Sequence, residues 1–128
     1  MNRRAGHVAA ERRGRRAEQL AMLWLCLKGW RIIGRRQRLP MIEVDIIARR
    51  GKILAVVEVK QRRTLDEALT ALHPDALRRL RRAAENLAAS HSAHSRRPIS
   101  ARVDLIALAP GRWPRHIVNV QERETPWR

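Results

Sequence analysis

Two short runs of mostly β-branched residues, joined by a tight polar connection, constrain the fold of this chain more than any other feature. The runs cover residues 42–48 and 53–59. The connection between them, Arg49-Arg50-Gly51-Lys52, has glycine where a hairpin turn needs a positive φ. We therefore predict a β-hairpin for this segment.

Side chains alternate between the two faces of a hairpin, so its register decides which residues meet. A turn symmetric about Arg50 and Gly51 predicts residue 48 opposite 53, 45 opposite 56 and 43 opposite 58. One face is then apolar: Val44, Ile46, Ala48, Ile53, Ala55, Val57 and Val59. The other face has apolar residues near the turn (Ile47, Leu54, Val56) and charged residues at its open end (Glu43, Asp45, Glu58, Lys60).

Three carboxylates at one corner of a sheet repel one another unless positive charge lies among them. Mg²⁺ (or Mn²⁺) suits this position, because hard divalent cations bind carboxylate and water oxygens. Lys60, on the same face as Glu58, can stabilise developing negative charge or help to activate a water molecule. On the pattern alone, ordinary solvated charges at a strand end are the alternative interpretation.

The rest of the chain predicts helices on both sides of this hairpin. An apolar stripe (Leu20, Leu23, Trp24, Leu27) indicates a first helix over residues 9–28, and Gly29 supplies its stop. Pro74 suits the first turn of a second long helix that runs to about residue 90, after a short helix at 65–72. The remaining predicted strands cover residues 30–38, 101–109 and 116–120.

The charged residues of the hairpin resemble the signature of the PD-(D/E)XK nuclease superfamily, in which an Asp precedes Glu-x-Lys on the next strand. The wider resemblance is to the YraN-like family (uncharacterised protein family 0102), whose members are similar to Holliday-junction resolvases. The matching parts are Glu18 with Ala21, residues 42–47 (IEVDII), residues 57–62 (VEVKQR) and residues 102–104 (RVD). The chain departs from the family at Ile42, where Gly is usual, and at Asp75, where Lys is usual.

This resemblance implies an α/β fold with a restriction-endonuclease-like αβββαβ core, a mixed central sheet flanked by helices. It implies a catalytic set of Asp45, Glu58 and Lys60, and a metal site formed by Asp45 and Glu58 with Glu18 and Glu43 as further ligands. The implied activity is divalent-metal-dependent hydrolysis of phosphodiester bonds in DNA, including branched or structured DNA. Because junction resolvases act as dimers, a homodimer is a further expectation.

Composition favours a nucleic-acid partner, most simply DNA. The chain has 28 Lys and Arg residues against 12 Asp and Glu residues, a net charge of +16, and such a field attracts phosphate backbones. The candidate binding residues are Arg62 and Arg63 after the hairpin, and Arg78, Arg79 and Arg82 on the second long helix. An arginine-rich genome is the competing explanation for the charge.

Two other function classes remain open from the sequence. One is a nucleic-acid-binding protein that keeps the nuclease fold but has weak or no activity. The other is a basic protein associated with RNA or the ribosome. The lack of Phe and Tyr argues against single-strand binding by base stacking.

The length of 128 residues predicts a single domain over 1–128. We expect flexible tails at 1–8 and 122–128 and a flexible loop at 90–100, which is rich in Ser and His. A single cysteine, Cys26, is typical of a reducing cytoplasm, and no segment is long enough to span a membrane. We therefore expect a cytoplasmic protein without a membrane partner.

Overall fold

The computed structural model describes residues 3–121, and the side chains from residue 14 onward. Helices and strands follow in the predicted order, and the predicted short helix before the second long one is present but ends at Leu69. The elements are α1 (Arg3–Leu27), β1 (Arg31–Arg38), β2 (Glu43–Arg50), β3 (Ile53–Gln61), α2 (Leu65–Leu69), α3 (Pro74–Ser92), β4 (Ser100–Leu108) and β5 (Arg115–Ile117).

The five strands form one mixed sheet in the order β1-β2-β3-β4-β5. The pairs β1–β2, β2–β3 and β4–β5 are antiparallel, whereas β3 and β4 are parallel. Parallel pairing requires a long crossover, which α2 and α3 provide. The predicted α/β class is confirmed, and the mixed sheet flanked by helices is compatible with a restriction-endonuclease-like core.

Each face of the sheet is covered by one long helix. On one side, Leu77 and Leu80 of α3 pack with Leu54, Val56 and other buried residues to form a core cluster that we call the α3-side core. On the opposite side, α1 packs over a second cluster, the α1-side core, which includes Ala17, Ala21, Leu25, Trp30, Ile46, Ala48, Ala55, Val57 and Ile106. The hairpin formed by β2 and β3 lies between both cores.

The α1 helix buries a different face from the stripe that defines it in the sequence. Ala17, Ala21 and Leu25 are buried against the sheet, whereas Leu23 and Leu27 are 56% and 73% exposed. Small side chains at positions 17 and 21 allow the helix to approach the strands closely. The predicted stop is confirmed: Gly29 has φ +90, and Trp30 N donates to Leu25 O at 3.0 Å, the bond that closes a Schellman motif.

The hairpin has a different register from the predicted one. Arg50 pairs with Ile53 and Ala48 pairs with Ala55, so the turn contains only Gly51 and Lys52. Gly51 has φ +59, which glycine adopts without strain at the first position of a type II′ turn. The expected pairing of 48 with 53 is therefore wrong by two residues, and a shift of two leaves the side chains of the paired segment, from Ile46 to Val57, on their predicted faces.

Continuing this register beyond its last pair, Ile46 with Val57, brings position 45 opposite 58 rather than 56. The expected pairings of 45 with 56 and of 43 with 58 are thus also wrong. The shift brings the two acids of the motif closer together than the symmetric turn would.

Several predicted boundaries also move. Helix α3 continues to Ser92 and β4 begins at Ser100, so the connection between them is shorter than the predicted loop at 90–100. Helix α1 already begins at Arg3, within the segment predicted to be a tail, and the predicted tail at 122–128 lies outside the described residues. Among the described residues, no helix combines the length and the apolar character needed to cross a membrane.

Candidate active site

Asp45 lies where β2 and β3 separate. The backbone ladder between these strands ends at Ile46 and Val57. One step further, Asp45 Oδ2 accepts a hydrogen bond from Val59 N at 2.8 Å. The carboxylate thus replaces a main-chain carbonyl as the acceptor for this amide, which fixes the Asp45 side chain at the open end of the hairpin.

The alternation of faces breaks at this point in β2. Val44 is buried in the α3-side core, although the sequence predicts it on the same face as Ile46. Asp45 instead lines a cleft beside α1. The prediction for Val44 is therefore wrong, because strict alternation holds only while β2 remains paired with β3.

Asp45 and Glu58 form a coupled pair of partly buried carboxyls. Burial, followed by the charge of Asp45, raises the pKa of Glu58 from 4.5 to about 7. Burial also raises the pKa of Asp45, and the hydrogen bond from Val59 N opposes this change. At neutral pH the pair therefore holds a proton for part of the time.

Lys60 places a cation beside this pair. Its Nζ atom lies 3.2 Å from Glu58 Oε1, and the two side chains are only 24% and 14% exposed. The ammonium group lowers the pKa of both acids, but burial outweighs this effect. The predicted convergence of Asp45, Glu58 and Lys60 is thus present in the folded chain.

Glu18 approaches the same corner from α1. Its charge contributes to the raised pKa of Asp45, so the two carboxylates lie close enough to repel each other. Both oxygens of Glu18 accept hydrogen bonds from Arg36 Nε, at 2.6 and 2.9 Å. Glu18 is therefore engaged by an arginine of β1.

A cleft of about 310 Å³ opens between α1 and the β1–β2 strands beside Asp45. Its walls combine acidic, polar and basic side chains, with three arginines among them. The lining residues are Arg15, Glu18, Gln19, Met22, Arg35, Arg36 and Asp45. An acidic floor beside arginines is suited to an anionic substrate that is held next to a cation.

Glu43, Arg62 and Arg63 lie outside this cleft. Glu43 is exposed at the start of β2 opposite Arg38, and its charge is felt by Arg36. Arg62 is exposed just after β3 and donates to Gln61 O at 2.7 Å, and Arg63 lies 3.6 Å from Glu67 of α2. Their predicted roles, metal ligand for Glu43 and phosphate contacts for the arginines, stay predictions.

A second basic groove, of about 600 Å³, lies on the outer face of α3. It contains all three arginines predicted on this helix, together with an exposed methionine from the β1–β2 connection. Its lining is Met41, Asp75, Arg78, Arg79, Arg81, Arg82 and Glu85. Residues 39–42 form the tip of the β1–β2 hairpin, at the end of the sheet where Asp45 lies. The α3 groove and the cleft beside α1, which we call the α1 cleft, flank this hairpin tip.

The two departures from the family pattern have structural explanations. Ile42 is partly buried against the α3-side core, and its carbonyl accepts from Leu39 N at 3.0 Å in the tight turn before β2. It is not among the residues lining the α1 cleft. Asp75 lies in the first turn of α3, where an acid favours the helix dipole, and it pairs with Arg78.

The described residues contain no group of three Asp, Glu, His or Cys side chains arranged to hold a metal ion. Asp45 and Glu58 nevertheless fit a magnesium-type ion, which often uses one or two carboxylates together with water and phosphate oxygens. Their raised pKa values point the same way, since a cation would relieve the cost of ionising two neighbouring buried acids.

An ion pair between Arg102 and Asp104 lies apart from these residues. Asp104 is buried and accepts from Arg102 at 2.9 and 2.8 Å, and its Oδ2 lies 2.7 Å from His116 Nε2. Burial alone would raise the pKa of Asp104, but the hydrogen bonds from His116, Arg102 and Asn119 N hold it below its ordinary value. This network fastens β5 to β4.

The sequence prediction missed the arginines of the α1 cleft. Arg15, Glu18, Gln19 and Met22 follow a helical spacing that could have grouped them on one side of α1. The position of Arg36 has no such signal. Its φ of 45 is unusual for a residue other than glycine, and no local sequence pattern indicates it.

The chain was compared with known proteins. The model of the uncharacterised protein family UPF0102 matches residues 17–125. The chain belongs to this family. A UPF0102 protein of Caulobacter vibrioides is 53% identical over 115 residues, which cover 90% of each chain. A UPF0102 protein of Sphingopyxis alaskensis is 50% identical over 114 residues, covering 88% of this chain and 95% of the relative.

A third relative, the UPF0102 protein of Sinorhizobium medicae, is 46% identical over 112 residues, covering 88% of this chain and 90% of its own. These UPF0102 proteins match along nearly their whole length. The family match spans the hairpin and the residues of the α1 cleft other than Arg15, and the family is described as uncharacterised.

Proposed function

We propose that this UPF0102 protein is a divalent-metal-dependent endonuclease that hydrolyses phosphodiester bonds in DNA. The observation that carries the proposal is the pair of Asp45 and Glu58, two partly buried carboxyls with raised pKa values, beside Lys60. A structural ion pair would lower the pKa of its acid, as the environment of Asp104 does. Strongly perturbed carboxyls in a cleft are typical of functional sites.

Asp45 and Glu58 would hold the metal ion, Mg²⁺ or Mn²⁺, with Glu18 and Glu43 as further candidate ligands. When bound, the ion would supply Lewis-acid charge for the attack of water on phosphorus. Lys60 Nζ, now 3.2 Å from Glu58, would donate to a phosphate oxygen and neutralise charge that develops on it. In the metal-free chain Glu58 has a pKa of about 7, so binding of the ion would displace a proton from it near neutral pH.

The arginines indicate how DNA would be placed. Arg15 and Arg35 line the α1 cleft beside Asp45, where their guanidinium groups would hold phosphates on either side of the cleaved bond. The α3 groove, with Arg79 and Arg82, would contact a second stretch of backbone across the hairpin tip. Two basic surfaces that flank one tip suit a branched or bent substrate better than a single straight duplex.

The test is a cleavage assay with labelled linear, single-stranded and four-way-junction DNA, with Mg²⁺, Mn²⁺ or EDTA. Wild type should cleave in the presence of metal, and Asp45→Asn and Glu58→Gln should lose on the order of a hundred-fold or more of the rate. Lys60→Met should lose a similar factor while it still binds metal. Asp66→Asn, which changes an exposed acid on α2, is the matched control and should cleave like wild type.

A second candidate function is nucleic-acid binding without cleavage. The observation that favours it is that Glu18 is engaged by Arg36, so that the described acids do not form a three-ligand metal site. Tight DNA binding without metal-dependent cleavage by any of these proteins would support this function and contradict the nuclease.

A further inference from the structure

Arg36 occupies an unusual position in β1. Its φ of 45 lies in the left-handed region, which residues with a side chain adopt at a cost in free energy. The strand is irregular nearby, with a register shift between Ile32 and Gly34. Such a backbone conformation persists only where other contacts hold it.

The contact that this backbone permits is with Glu18. Arg36 Nε lies 2.6 and 2.9 Å from the two carboxylate oxygens, and the Glu18 side chain is only 15% exposed. Both oxygens are thereby hydrogen-bonded by one group. An ion at the acidic corner would therefore compete with the Arg36 guanidinium for the Glu18 carboxylate.

The guanidinium also lies within the field of the other acids. Glu18, Asp45 and Glu43 each interact electrostatically with Arg36. Asp45 and Glu18 in turn repel each other. A positive group among three carboxylates has the electrostatic role that a divalent cation would have at the same place.

We propose that Arg36 is a latch on Glu18 that substitutes for the metal ion and is displaced when the ion binds. The inference rests on the proposed metal-dependent function and adds a positioning residue to it. In the latched form Asp45 and Glu58 offer two carboxylates. Release of Glu18 from Arg36 supplies a third carboxylate ligand. It also leaves the Arg36 guanidinium in the α1 cleft, where it can bind a phosphate oxygen.

Arg35 provides a matched comparison for this latch. It lines the same cleft and carries the same charge, but among the described residues it forms no ion pair with Glu18. Loss of either arginine reduces the positive field at the acidic corner, whereas only loss of Arg36 frees Glu18. The difference between the two variants therefore isolates the latch from general electrostatics.

The experiment is calorimetric titration of the full chain with Mn²⁺. Arg36→Gln should bind Mn²⁺ about two- to five-fold more tightly than Arg35→Gln, the factor expected for release of one exposed ion pair. Arg36→Gly should show the same gain, and it provides a second variant that folds readily because glycine adopts φ 45 without strain. In a Glu18→Gln background the advantage of Arg36→Gln should vanish.

Equal Mn²⁺ affinities for the Arg36 and Arg35 variants, or a gain that persists without Glu18, would overturn the latch. Asp45→Asn separates this failure from failure of the metal site. If Asp45→Asn abolishes Mn²⁺ binding while the arginine variants behave alike, the metal site stands and the latch is wrong. If wild type and every variant fail to bind Mn²⁺, both ideas are wrong.

Discussion

Glu58 is the residue whose chemistry depends most on its surroundings. Burial and the neighbouring Asp45 raise its pKa to about 7, so the folded chain holds a proton there that the unfolded chain releases near pH 4.5. A carboxyl with a raised pKa favours folding below its unfolded pKa. The contribution declines as the pH rises from about 4.5 to about 7, and above this range the ionised pair opposes folding.

We therefore predict that metal-free protein loses stability between pH 5 and pH 8, by up to about 3 kcal/mol from Glu58. Glu58→Gln should remove most of this loss and be more stable than wild type at pH 8. Chemical unfolding in EDTA at pH 5 and pH 8 measures the free energy of unfolding of both proteins. Asp66→Asn is the control, and its free energy of unfolding should change with pH as that of wild type does. A Glu58→Gln protein with an unchanged pH dependence would mean that Glu58 ionises normally in the folded chain.

The sequence identified the site residues because their types and spacing carry the information. Asp45, Glu58 and Lys60 were predicted to meet, and the hairpin brings them together. The contact between Arg36 and Glu18 could not be predicted in the same way. It depends on one backbone dihedral in an irregular strand and on the packing of a distant helix, neither of which leaves a local pattern.

Among the elements, α1 departs most from what its sequence pattern indicates. Large apolar residues mark the stripe at 20, 23, 24 and 27, but the helix buries Ala17, Ala21 and Leu25. Periodicity measures where large apolar residues recur, whereas close packing on a sheet favours small ones. The strands were easier to predict, because β-branched runs and Gly51 define their ends.

This difference predicts unequal effects of two leucine truncations in α1. Leu25 is fully buried, so Leu25→Ala should cost about 2–5 kcal/mol of the free energy of unfolding. Leu23 is 56% exposed, and Leu23→Ala should cost about 0.5 kcal/mol or less. Urea unfolding of both variants measures the two losses in free energy, and the loss for Leu25→Ala should be the larger. Equal costs would mean that Leu23 is covered in solution by a contact that the described residues do not provide.

At the scale of the whole molecule, basic side chains outnumber acidic ones by more than two to one. The chain carries a net charge of +16, and the α1 cleft and the α3 groove place many of its arginines around one hairpin tip. The chain-wide charge could be read from the sequence. The grouping of these cleft and groove arginines around one hairpin tip could not, because it depends on how α1 and α3 pack on opposite faces.

We predict that DNA binding is strongly salt-dependent and that the α3 groove contributes to it. Arg79→Gln with Arg82→Gln should weaken binding and reduce the slope of log K against log salt by about 2. Arg96→Gln with Arg97→Gln removes the same charge near the start of β4, where β3 also begins, at the other end of the sheet. Fluorescence anisotropy with labelled DNA at several salt concentrations measures the affinity of both double variants. Equal losses of affinity and of slope would indicate attraction by overall charge, without a defined binding surface.

The hydrogen bond from Val59 N to Asp45 Oδ2 means that one carboxylate has two roles. It belongs to the candidate site, and it also completes the backbone ladder where two strands part. Natural selection would therefore retain an acid or amide at position 45 even in a relative that had lost catalysis. The presence of Asp at this position in a UPF0102 protein is evidence of a shared architecture, and evidence of shared chemistry has to come from Glu58 and Lys60.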